Sequence, residues 1–198
     1  MLATANLGKA AELAEILGAA RGLEGLELVP RPPELPEPEE DGASLVDNAR
    51  IKARAVVAAT GEAAVADDTG LEVMALGGDP GLHTARYAGD SASFDDNMAK
   101  LLAALHGVAD RRARWRTVAL VAFPDGGEVV AEGICEGSIT EDRRGSAGFG
   151  YDPVFVPDGG DGRTLAELNR AEKNALSHRG GAFRSLAADL ATSRMRRG

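Results

Sequence analysis

Cysteine is nearly absent from this chain. The single Cys135 among 198 residues excludes an intramolecular disulfide and any metal site built from several thiolates. It lies in the apolar-rich run Val129 to Cys135 and reads as a small strand residue rather than a nucleophile. Aromatic residues are also scarce, at 4%, so Ala, Val and Leu have to fill the interior. No apolar run approaches the roughly 20 residues that a membrane-crossing helix needs. The first residues lack the basic start and long apolar stretch of a secretory leader. The expectation is a cytoplasmic protein with no membrane partner. Positive charge is in short supply too: 22 Lys and Arg stand against 31 Asp and Glu, a formal net charge of -9. That balance excludes the broad basic footprint of a general nucleic-acid binder, so no nucleic-acid partner is expected. Arg111-Arg112-Ala113-Arg114-Trp115-Arg116 and Arg194 to Arg197 are local exceptions, read as solvated basic edges. A polyanionic substrate would therefore rely on a few converging Lys and Arg side chains and on bound metal.

What is present is an alternation of strand-like and helix-like segments. Met1 to Thr4 is a short apolar stub, followed by a turn and then by Leu13, Ile16, Leu17 and Ala20 at helical spacing, with Gly18 and Gly22 as stops. Five of the nine prolines fall between Pro30 and Pro38, which predicts an exposed loop running into Glu39, Glu40 and Asp41. Ser44 and Asp47 resemble a capping box opening a helix to about Thr60, which Gly61 ends. Ala63 to Ala66 predicts a short strand whose carboxyl end delivers Asp67-Asp68-Thr69-Gly70. A second capping box, Ser93 with Asp96, precedes Met98, Leu101, Leu102 and Leu105, and Gly107 closes that helix. Trp115 to Phe123 and Glu128 to Cys135 flank Asp125-Gly126-Gly127 and predict a hairpin. Gly145 to Pro153 is a glycine-rich loop leading to Val154-Phe155-Val156, and a last helix is predicted over about Gly181 to Leu190. The whole predicts one α/β domain over residues 1–198 with a mixed sheet.

Four polar clusters can carry chemistry. Thr4-Ala5-Asn6-Leu7-Gly8-Lys9 sits at a strand-to-helix turn, where backbone N–H groups and the helix dipole favour an anion. It is not a Walker A loop, because Ala10 follows the Lys where that motif places Ser or Thr. Asp67-Asp68 suits a hard cation such as Mg²⁺, and alternation along a strand sends the two carboxylates to opposite faces. An Asx-turn with solvated carboxylates is the plain alternative. Asn48 and Lys52 share a helix face at i and i+4, just behind the acidic loop. Gly148-Phe149-Gly150-Tyr151-Asp152-Pro153 offers an aromatic between glycines for a flat ligand. Lys173 with Ser177-His178-Arg179 suits a phosphate or a keto oxygen.

These clusters occur together in the order and spacing of one family. The chain resembles the Ham1-like pyrophosphatases of inosine and xanthosine triphosphates from Leu2 to Leu190. The likeness rests on Ala3 to Lys9, Asp47-Asn48-Ala49 with Lys52-Ala53, Ala66 to Val73 and Leu76-Gly77-Gly78. It continues through Pro80-Gly81, Ala85 to Gly89, Gly148 to Pro153, Ala166-Glu167-Leu168, and Glu172-Lys173-Asn174 to Arg179.

The resemblance implies an elongated mixed β-sheet flanked by helices, two lobes with a central active-site cleft, and a homodimer. It implies hydrolysis of non-standard purine triphosphates (ITP, dITP, XTP) to the monophosphate and pyrophosphate. Thr4, Ala5, Asn6, Leu7, Gly8, Lys9 and Lys52 would hold the triphosphate, with Thr69 close by. Asp68 would be the catalytic acid-base residue and, with Glu40, a ligand to Mg²⁺. Phe149 would stack on the purine, Gly150, Tyr151 and Asp152 would line its pocket, and Lys173, His178 and Arg179 would read its edge. Ala5 stands where Gly is usual, Thr69 where Ser is usual, His83 where Tyr is common, and Leu165 where Phe is common. The pattern also implies a few residues ahead of Leu2, as a start downstream of the native one would leave off. Two rivals are a Maf-like pyrophosphatase of modified nucleotides and a nucleotide-binding sensor without turnover. The 148–153 loop and Ser177-His178-Arg179 speak against the first, and the paired acids Asp67 and Asp68 against the second.

Overall fold

The computed structural model describes residues 1–4, 7–18 and 27–197. Among them are five helices, α1 (Leu7–Gly18), α2 (Leu45–Thr60), α3 (Phe94–Ala104), α4 (Arg170–Leu176) and α5 (His178–Arg197). The strands are β1 (Ala64–Val73), β2 (Pro80–Gly81), β3 (Arg112–Ala122), β4 (Glu128–Ile139) and β5 (Phe155–Pro157), in the sheet order β2-β1-β3-β4-β5. β1 pairs antiparallel with β2, and β4 with β5. Outside the named strands, Leu2 makes an isolated parallel bridge to Val65. The α/β class expected from the sequence is borne out.

The chain divides into two compact units. The first holds Met1–Asp68, Thr117–Gly133 and Arg179–Gly198, and the second holds Thr69–Arg116 and Ile134–His178. Each has its own apolar core. In the first, Leu13, Ile16 and Leu17 of α1 pack with Val65, Ala119, Val121, Phe183 and Leu186. In the second, Leu71, Met98, Leu101, Leu105, Trp115, Tyr151, Phe155 and Leu165 form the cluster. Of the periodic apolar positions picked out in the sequence, Leu13, Ile16 and Leu17 on α1, Met98 and Leu101 on α3 and Leu105 at its C-cap are buried, and Leu102 is partly buried.

Local signals account for the element ends. The Ser44 side chain accepts from Asp47 N at the start of α2, and Gly61, at φ 72, closes it by donating its N–H to Val57 O. The Ser93–Asp96 capping box is complete in both directions. Asp125-Gly126-Gly127 makes the hairpin turn of β3 and β4, with Gly126 at φ 88. Several boundaries differ from expectation: α3 ends at Ala104 ahead of Gly107, β3 starts at Arg112 rather than Trp115, and β4 runs to Ile139 rather than Cys135. β1 does not stop at Ala66 but runs through the acidic motif to Val73, because Leu71 and Glu72 pair with β2. The last helix starts at His178 and reaches Arg197 rather than spanning 181–190. α4 was not anticipated, although Asn169 and Glu172 form the capping box that opens it. Ala20 and Gly22 lie outside the described residues.

Candidate active site

In the first unit, strand alternation sends Asp67 and Asp68 to different partners. Asp67 is buried and meets Lys9 Nζ of α1 at 3.1 Å and Arg179 Nε of α5 at 3.4 Å. Arg179 in turn donates from Nη1 to Glu12 of α1 at 2.7 Å. Glu12 and Arg179 are themselves buried, so two acids and two bases form a largely buried, charge-balanced group joining α1, β1 and α5. Burial pushes the Asp67 carboxyl up, but the charges of Lys9, Arg179 and Lys52 outweigh it and hold the group well below the usual carboxylate range.

Asp68 faces α2. Lys52 Nζ donates to its Oδ1 at 2.7 Å and Asn48 Nδ2 donates to its Oδ2 at 3.3 Å. The i, i+4 pair foreseen on α2 therefore grips one carboxylate. Asn48 Oδ1 also accepts from Gly42 N at 2.9 Å, which ties the end of the proline-rich loop to the helix. A Cβ at Gly42 would lie 2.5 Å from that same Oδ1, so the approach needs glycine. On the loop, Glu40 Oε1 is 3.3 Å from Lys52 Nζ, whereas Glu39 is exposed. Burial raises the Asp68 carboxyl; Lys52 pulls it back, the neighbouring charge of Glu40 pushes it up, and the net direction is upward. Lys52 is kept firmly protonated, since Asp68, Asp67 and Glu40 together outweigh its burial.

Among the described residues no group of three or more His, Cys, Asp and Glu gathers as a metal site. The Lys52 ammonium nevertheless marks a point where Asp68 and Glu40 both offer oxygen to one cation. Two carboxylates fit Mg²⁺, which is held by one or two such groups with water and substrate phosphates rather than by a full protein cage.

The second unit carries the aromatic chemistry. Asp152 is buried; its Oδ2 accepts from Phe149 N at 2.8 Å and from Lys173 Nζ at 2.8 Å. The loop thus wraps its own carboxylate, and Gly148, at φ 78, makes room: a Cβ there would sit 2.0 Å from Asp152 Oδ2. Lys173 Nζ also lies 4.8 Å from the centre of the half-buried Phe149 ring. Gly150 adopts φ 64 beside it. Tyr151 is fully buried and donates its hydroxyl to Thr84 O at 3.0 Å. Thr84 Oγ1 accepts from Leu71 N at 2.8 Å and donates to Gly81 O at 2.6 Å, so one threonine fastens this ring to β1 and β2. His178 is buried and stacked on Trp115.

The Ham1 family profile matches residues 1–189. The chain belongs to the Ham1 family. It is 52% identical to the dITP/XTP pyrophosphatase of Methylococcus capsulatus, over 96% of this chain and 94% of that protein. It is 48% identical to the dITP/XTP pyrophosphatase of Mycolicibacterium paratuberculosis, over 100% and 98%. Among solved structures, a HAM1 protein from Coxiella burnetii is 38% identical and superposes with a TM-score of 0.86, covering 96% of this chain and 97% of that one. The family resemblance read from the sequence is borne out.

Of the residues singled out for this Ham1 member, Asp68, Lys52, Glu40, Lys9 and Arg179 gather in the first unit as described. Phe149, Gly150, Tyr151, Asp152, Lys173 and His178 belong to the second. Thr4 ends the Met1–Thr4 segment, Thr69 is half-buried in β1, and Leu7 and Gly8 open α1. Ala5 and Asn6 lie outside the described residues. Sequence reasoning missed Glu12 and Thr84. Glu12 had one usable signal, its i+3 spacing from Lys9 on a helix whose other face is apolar. Thr84 had none, because its two backbone partners are fixed only by the fold.

Proposed function

We propose that the protein hydrolyses non-standard purine nucleoside triphosphates, ITP, dITP and XTP, to the monophosphate and pyrophosphate. The observation that carries the reading is Asp68, a buried carboxylate with raised proton affinity, 2.7 Å from Lys52 and sharing that ammonium with Glu40. A carboxylate more basic than usual, placed beside a lysine ammonium, suits a general base. It would take a proton from the water that attacks the α-phosphorus, while the pyrophosphate end leaves. Lys9 and Lys52, with the Thr4–Lys9 segment, would bind phosphate oxygens and offset the charge that grows on them. Mg²⁺, held by Asp68 and Glu40, would supply a hard cation beside those oxygens and the leaving pyrophosphate.

Base recognition would fall to Phe149, Lys173, His178 and Arg179. Phe149 would stack on the purine, its ring already facing the Lys173 ammonium. Lys173, His178 and Arg179 are donors, and they suit the acceptor oxygen at position 6 of hypoxanthine and xanthine. Adenine places an amine there, leaving buried donors against a donor. The two units would act as one functional domain, and the protein would work as a cytoplasmic homodimer. No helix among the described residues is long and apolar enough to cross a membrane.

The test is product analysis with MgCl₂. Pyrophosphate should appear as first product from ITP, dITP and XTP, with ATP turned over far more slowly. Orthophosphate as first product, or equal rates on ATP, would sink the reading. Light scattering on a sizing column should give twice the 20.5 kDa chain mass.

A further inference from the structure

Trp115 is the sole tryptophan, and β3 carries it into the second unit with 6% of its surface exposed. Its neighbours turn to the other face of the strand. There Arg114 Nε and Arg116 Nη1 donate to the two carboxylate oxygens of Glu72 on β1, at 2.6 and 3.0 Å. That fork fixes which face of β3 presents the indole. The indole lies against the His178 imidazole with ring centres 4.8 Å apart and planes within 20°. Tyr151 meets it edge-on at 6.0 Å and Phe155 closes in at 6.2 Å. Its Nε1 is buried and finds no hydrogen-bond acceptor among the described residues. A buried indole N–H usually takes a partner. Packing against three rings holds the indole in place.

We infer that Trp115 is a positioning residue for base recognition. Its face fixes the plane of the His178 imidazole, and with it the direction from which the ring nitrogens meet the purine edge. The inference rests on the reading above, in which His178 reads the 6-keto side of the base. A tilted imidazole loses both the stack and the alignment of its hydrogen bond, which weakens further as the angle departs from linear. The effect belongs in base affinity and selectivity, because the reacting phosphorus is served by Asp68 and Lys52.

Kinetics of Trp115→Phe and Trp115→Leu on ITP and ATP, each checked by thermal melting, test this. Phe keeps an aromatic face, whereas Leu fills space without one. Trp115→Phe should keep the ITP KM within about threefold, and Trp115→Leu should raise it about tenfold with kcat nearly unchanged. The preference for ITP over ATP should narrow by a similar factor. A Trp115→Leu protein that melts like the wild type and keeps its KM and its preference overturns the inference. So does a Trp115→Phe protein as impaired as Trp115→Leu. Should the Leu variant fail to fold, the Phe variant and a binding readout decide. Because the protein has one tryptophan, its emission reports on this stack alone. IMP should quench it saturably, with an apparent Kd raised about tenfold in His178→Asn; no response to IMP also overturns the inference. A wild-type protein that answers IMP but releases no pyrophosphate from ITP would overturn the reaction proposed above and leave the role of Trp115 standing.

Discussion

The two units solve opposite problems with the same alphabet. The first buries charge: Asp67, Asp68, Glu12 and Arg179 lie within it, with Lys9 and Lys52 reaching in from α1 and α2. The second gathers the rings, burying Trp115, Tyr151 and Phe155 while Phe94 stays exposed, and it also buries the Asp152–Lys173 pair. Of five Phe, two Tyr and one Trp, six belong to it, leaving Phe123 and Phe183 to the first unit. An aromatic fraction too small to fill a core is therefore concentrated where a flat ligand would need faces, and Ala, Val and Leu do the packing elsewhere. On the function proposed above, phosphate chemistry and base recognition would impose different interiors. Triphosphate handling calls for a dense, mutually balanced set of ions, since each buried charge without a partner costs several kcal/mol. A purine calls for ring faces and a few donors in fixed directions.

The contrast breaks most visibly at Asp68. Asp68→Asn should retain ITP binding by calorimetry while pyrophosphate release falls about 10³-fold. Substantial residual turnover would move the base elsewhere and blur the division of labour. Phe149→Ala should act on the other parameter, raising the ITP KM about tenfold with kcat little altered, as loss of a base-stacking face does. If it lowered kcat and left KM alone, the second unit would be serving the phosphates as well. The smallest effect concerns Cys135, also of the second unit. Burial, then the charges of Asp158 and Glu136, push its thiol up to about 11. The folded state holds that proton more tightly than the unfolded chain, so its contribution to stability is complete below the unfolded value of about 9 and is lost as pH rises toward 11. Native protein at pH 8 should react with a thiol reagent far more slowly than urea-unfolded protein, and fast native labelling would refute this.

How much of this was legible beforehand differs between the units. In the first, the chemistry is written locally: Asp67 and Asp68 are adjacent, Asn48 and Lys52 are one helical turn apart, and Ser44 and Gly61 mark their helix at both ends. Helical and strand periodicity convert directly into direction there, so the faces of both motifs were correct. The error was the length of β1. An acidic Asp-Asp-Thr-Gly run has poor strand character, and tertiary pairing with β2 carried the strand through it. In the second unit the decisive contacts are long-range. Trp115 meets His178, Tyr151 reaches the carbonyl of Thr84, and Lys173 reaches back to Asp152. No spacing rule announces such pairs. α4 went unseen for a different reason: seven residues are too few to display a period, although its Asn169–Glu172 cap was readable.

Gly148 carries a consequence for anyone reshaping this protein. Its missing side chain is the space in which the Asp152 carboxylate turns back toward Phe149 N, and its backbone adopts a left-handed angle that other residues resist. A library randomised at that position and screened for turnover should return glycine almost alone. Phe94, which lies 6.3 Å from the Phe149 ring on the exposed start of α3, stands under no such constraint. Attempts to retune which bases the protein accepts therefore have a fixed hinge at 148 and a free neighbour at 94.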